Sequence, residues 1–140
     1  MREKNSNDLL ENIMFSYQDF LIEKDALGFE VCTTYYQTLI DTLKQSDEDS
    51  LQYWNDFVSA SVDYAQARGE WLQLSREEKQ ARDEARTVKH NKVIYTLKIY
   101  VKYAQIQGQD LSWFEEMEGN RKQIGDLACY VSYIYALNAR

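Results

Sequence analysis

The chain has no proline, and its 140 residues include only five glycines, two cysteines and one histidine. Proline breaks helices and punctuates loops and all-β folds, so its absence favours long uninterrupted helices. Cys32 and Cys129 lack C-x-x-C spacing, and with His90 as the sole histidine they assemble no zinc cluster. A ferritin-like di-iron centre needs Glu-x-x-His on two helices, but Thr87 stands three residues before His90. The P-loop, the G-x-G-x-x-G dinucleotide turn and the G-x-S-x-G nucleophile elbow are all missing. No apolar run nears the roughly eighteen residues of a membrane span. Met1 is followed by REKNSND rather than an apolar stretch, so no secretory leader is expected. Neither an enzyme nor a cofactor or metal protein is expected, and the two thiols read as reduced and partly buried, as in a cytoplasmic protein.

What is present is a core and a segregated charge. A hydrophobic content of 44% over this length supports one helical domain, residues 1–140. The net charge of −7 and pI near 4.7 exclude a general nucleic-acid binder, which needs a basic footprint. Residues 1–75 carry five Lys/Arg against fourteen Asp/Glu. Residues 76–102 reverse this, with eight against four. The basic block centres on Ser75–Lys92, SREEKQARDEARTVKHNK, in which ten of eighteen residues are charged.

Periodicity divides the chain into five helical segments. The first covers about Asn7–Lys24 and the second Phe29–Lys44, where Phe29, Cys32, Tyr36, Leu39 and Leu43 draw one stripe. Residues 45–50 read as an acidic loop. Its run Asp47-Glu48-Asp49 lacks the ligand alternation, turn glycine and terminal Glu of an EF-hand, and Asp49 or Ser50 is expected to cap the next helix. That third helix, Leu51–Leu74, has a wide apolar face, with Leu51, Trp54, Phe57 and Val58 expected in the core. Ser75 and Glu78 form a capping box that opens a long charged helix, bent near Lys89–Lys92 or overhanging the bundle, with Gly108 as its terminator. Ser112 and Glu115 suggest a second capping box, Gly119 an interruption, and Ile124 onward a last apolar stripe. The fold expected is an all-α antiparallel bundle of four to five helices.

Aromatic residues, eleven Tyr and three Trp, are the second compositional signal. Trp54, Phe57, Tyr100 and Tyr130 read as core. Tyr64 and Trp71 face a thin seam of Ala81, Ala85 and Val88 if the third and fourth helices form a hairpin, so part of each ring is expected to stay exposed. Lys79, Arg82, Arg86 and Lys89 repeat by three, four and three, which sets four cations on one flank. Glu78–Arg82 and Asp83–Arg86 offer local pairing. His90, beside Lys89 on a polar helix, reads as a surface residue.

A charge-segregated helical protein with no catalytic motif is expected to be a stoichiometric binder of the immunity, antitoxin or inhibitor kind. It would contact a protein partner through Tyr64, Trp71, Lys79, Arg82, Arg86 and Lys89. A homodimer, built by the basic flank meeting the acidic 1–75 region of a second copy, is an alternative, as is mimicry of nucleic acid by that region. Two other classes remain open: a small-molecule binder or enzyme with a Tyr-lined pocket, and a self-assembling structural protein.

Overall fold

In the computed structural model the apolar stripes become helices, and the capping side chains set where several of them begin. The structure describes Ile13, Tyr17 and residues 28–44, 48–108, 111, 113–117 and 119–138. The helices are α1 (Phe29–Lys44), α2 (Glu48–Leu72), α3 (Arg76–Ile106), the short α4 (Trp113–Met117) and α5 (Arg121–Asn138). The described residues contain no strand. The expected first helix lies outside them except for Ile13 and Tyr17, both helical and buried. The molecule is an all-α bundle of about four mutually packed helices.

The start of α3 follows from its capping box. Glu78 donates its backbone N–H to Ser75 Oγ at 3.2 Å, and Ser75 donates its own N–H to Glu78 Oε1 at 3.2 Å. These bonds satisfy donors that a helix start leaves open. At the far end Gly108 takes φ +93°, a left-handed conformation that suits glycine, and the helix stops. In α5, Asn120 is the cap, its Oδ1 accepting from Gln123 N–H at 3.0 Å. The expected box at Ser112 lies outside the described residues.

One boundary differs from expectation. α2 begins at Glu48, so Glu48 and Asp49 form its acidic first turn instead of a loop, where they complement the helix dipole. Ser50 is not a cap: it is fully buried, with Oγ donating to Gln107 Oε1 at 3.3 Å. That bond ties the start of α2 to the end of α3.

α2 and α3 form an antiparallel hairpin. The ring pairs Tyr53–Tyr103, Trp54–Tyr100 and Tyr64–His90 step up α2 as they step down α3, with centroids 4.7 to 5.3 Å apart. α3 is unbroken over its 31 residues, roughly 46 Å of helix. Its charged half lies against the end of α2 and is held there by Trp71. α5 begins beside the middle of α3, where Arg121 Nη2 donates to Asn91 Oδ1 at 2.6 Å. Nine residues on, Tyr130 joins a chain of rings that runs through Tyr36 and Trp54 to Tyr100. α5 therefore runs in the same direction as α3, and the segment carrying α4 returns the chain between them.

The core is aromatic and closed. Tyr17 meets Tyr130 and Tyr133 at 5.9 and 5.8 Å, and Trp54 meets Phe57 and Tyr100 at 5.6 and 5.3 Å. Two of the core tyrosine hydroxyls find protein partners: Tyr100 Oη donates to the Leu39 carbonyl at 3.1 Å, and Tyr130 Oη bonds Thr33 Oγ1 at 3.0 Å. Trp54, Phe57, Tyr100 and Tyr130 are buried as expected. Val58 is half-buried against the core, and Leu51 is 47% exposed, which removes it from the core. Truncating Trp54 to Ala should therefore cost about 3–5 kcal/mol in urea denaturation. Leu51→Ala should cost less than about 1 kcal/mol.

Candidate functional site

The three-residue connection between α2 and α3 is tight. Gln73 and Leu74 donate their N–H groups to the Glu70 and Trp71 carbonyls, each at 3.1 Å, and Gln73 Nε2 donates to the Gly69 carbonyl at 2.9 Å. This closes α2 and turns Trp71 toward the first half of α3. Its indole Nε1–H donates to the Lys79 carbonyl at 3.1 Å. Lys79 Nζ lies 5.0 Å, and Arg86 Cζ 4.6 Å, from the indole ring centroid. Both distances permit cation–π attraction. Arg86 also donates from Nη2 to Asp83 Oδ1 at 2.7 Å, the expected i,i+3 pair.

Of the six residues expected to form a contact surface, Tyr64 is not available. It is 1% exposed, with its ring stacked on His90 at 4.7 Å and an interplanar angle of 21°. Burial pushes its hydroxyl pKa well above the usual tyrosine value, although Arg68 and Arg86 pull the other way. Trp71, Lys79 and Arg86 lie together but hold one another. Arg82 and Lys89 are exposed. With Ala67, Glu70, Trp71, Ala85 and Arg86 they line a groove of about 200 Å³ between α2 and α3. The indole is its half-buried apolar element, and Arg82 and Lys89 are its solvent-facing cations.

The seam of Ala81, Ala85 and Val88 is exposed, with Val88 at 60%. Of its three residues, Ala85 lines the Trp71 groove. The ring that lies on Tyr64 is that of His90, a residue expected on the surface from its neighbours in the sequence. Its Nε2–H donates to the Arg121 carbonyl at 2.9 Å. The signal was legible: His90 stands three and seven residues before Val93 and Leu97 and continues their buried stripe. Burial lowers the His90 pKa foremost. The bond to the Arg121 carbonyl opposes this, while the charges of Arg121, Arg86 and Arg68 add to it.

The thiols lie elsewhere. Cys32 on α1 and Cys129 on α5 are both buried and stand in no disulfide. Burial first, then the Asp126 and Cys129 charges, push the Cys32 thiol up to about 12. A thiol so held is inert as a nucleophile at neutral pH. Asp126 is buried with Oδ2 3.5 Å from Lys122 Nζ, an acid the stripe Leu127, Ala128, Val131 gave no reason to expect in the core. Among the described residues no three His, Cys, Asp or Glu side chains stand together as a metal site. No described helix is long and apolar enough to cross a membrane. No known protein family, curated protein or solved structure matches the chain.

The lowered His90 pKa fixes a sign. Above its ordinary value of 6.5 the imidazole is neutral in both folded and unfolded chains. As pH falls below that value the unfolded chain takes up a proton that the folded one resists, so stability falls, and it continues to fall until the folded pKa is reached. Urea denaturation at about pH 7.5 and 5.5 should show a smaller acid loss in His90→Gln than in the parent chain.

Proposed function

We propose that this protein is a non-catalytic, cytoplasmic interaction module that binds and occludes an acidic protein surface through the hairpin end of α2 and α3. The observation that carries this reading is the groove that the Trp71 indole, Arg82 and Lys89 line together. An aromatic anchor with flanking cations is the chemistry enriched where interfaces gain their affinity. Lys79 and Arg86 act differently from Arg82 and Lys89: they hold the indole in place and so pre-organise the anchor. The cations speed encounter with an acidic face. The small-molecule alternative has less support, because the buried hydroxyls of Tyr100 and Tyr130 are turned to Leu39 and Thr33. Two buried thiols suit a reducing compartment.

The test is the double charge reversal Arg82→Glu, Lys89→Glu. Both side chains are exposed, so circular dichroism and melting should match the parent chain. Affinity for the partner recovered from the native host should drop at low salt, chiefly through slower association, and the difference should shrink as salt rises. Equal affinity at low salt would refute the assignment. Trp71→Ala should weaken the same binding at any salt, because it removes the anchor rather than the steering charge.

A further inference from the structure

Turning His90 inward turns a different stripe of α3 out to solvent. Val88, Tyr95 and Lys102 recur every seven residues, and so do Lys92, Ile99 and Ile106, offset by four. This is the three–four alternation of a helix seam that packs on another helix. Val88 is 60% exposed, Tyr95 64% and Ile106 82%, and no described helix covers them. On the neighbouring α2, Asp49, Asp56, Asp63 and Glu70 also recur every seven residues, on the flank beside α3. Between the two rows lies a groove of about 380 Å³, with Asp56 on one rim, Lys92 and Tyr95 on the other, and Tyr53, Thr96 and Ile99 among its lining. Among the described residues, Asp63, Lys92 and Lys102 take part in no ion pair within the chain.

From this juxtaposition we infer that the outer face of the α2–α3 hairpin is a dimer interface, and that its occupant is a second copy of this chain. The argument is self-complementarity. One face carries an acidic row on α2 and an apolar row with lysines on α3. A two-fold axis parallel to the helices lays α2 of each copy over α3 of the other. Within one chain Tyr64 is level with His90, and Trp54 with Tyr100. That axis therefore carries Asp63 to the level of Lys92 in the second copy, and Asp56 to the span between Lys92 and Lys102. Both seams are buried in the same step, with Tyr95 near the centre. A two-fold axis across the helices would set α2 on α2 and oppose like charges, which selects the first arrangement. The apolar row of α3 that it uses, Val88, Tyr95, Ile99 and Ile106, does not line the Trp71 groove, although Glu70 of the acidic row does.

Analytical ultracentrifugation of the full chain tests it. The parent chain should sediment at twice its 16.6 kDa mass at tens of micromolar. Tyr95→Lys should raise the dimer dissociation constant at least about tenfold, with the circular dichroism spectrum unchanged because the side chain is exposed. Val88→Lys serves the same purpose if that variant folds poorly. Asp63→Lys or Lys92→Asp alone should weaken the dimer at low salt, and the two together should restore it. A parent chain that stays monomeric up to about 0.5 mM would overturn the inference. So would a dimer unaffected by Tyr95→Lys and Val88→Lys, or a charge swap that fails to restore association.

Discussion

The stack of the His90 imidazole on the Tyr64 ring sets the rotation of α3 about its own axis, and the outer surface of the hairpin depends on that rotation. The ring is held on two sides: its face lies 4.7 Å from the tyrosine centroid, and its Nε2–H reaches the Arg121 carbonyl at 2.9 Å. Asn91, one residue on, accepts from the Arg121 guanidinium. These contacts pin α2, α3 and the first turn of α5 at one level. With α3 so turned, Val93, Leu97, Tyr100 and Ala104 fall inward on the same side. Val88, Tyr95 and Ile106 fall outward.

The same rotation sorts the basic side chains into two kinds. Lys79 and Arg86 come round to the Trp71 ring, and Arg86 also pairs with Asp83. Arg82 and Lys89 stay in solvent beside that ring. A flank that looks uniform in sequence thus has an inner pair that fixes an aromatic anchor and an outer pair that carries the field. Cations in contact with an aromatic face are partly desolvated and positioned, whereas free ones act mainly through long-range attraction, which salt screens.

α1 and α5 close the core with rings set among aliphatic side chains such as Leu39, Leu127 and Val131. The path Tyr130–Tyr36–Trp54–Tyr100 crosses four helices in centroid steps of 5.3 to 6.2 Å. Tilted and edge-on contacts of this kind add to the area that the rings bury. The hydroxyls of Tyr100 and Tyr130 are accommodated at the Leu39 carbonyl and the Thr33 side-chain oxygen, which satisfies them inside the bundle.

The sequence by itself determined the elements. Without proline, and with Ser75 and Glu78 three residues apart, α3 had to begin where it does, because that spacing lets both side chains satisfy open backbone donors. The helix Phe29–Lys44 was legible from its stripe, and Trp54, Phe57, Tyr100 and Tyr130 were recognisable as core from size and spacing. What the tertiary structure alone decided is which face of the polar half of α3 turns inward. Two stripes competed there: Ala81–Ala85–Val88, which is apolar, and Arg86–His90, which is polar and continuous with Val93 and Leu97. Local hydrophobicity favours the first. The second prevails because a helix rotates as one rigid rod, and the one rotation that stacks His90 on Tyr64 also buries Val93, Leu97 and Tyr100. His90 then satisfies its polar atom at Arg121, a carbonyl thirty-one residues away that no local pattern points to.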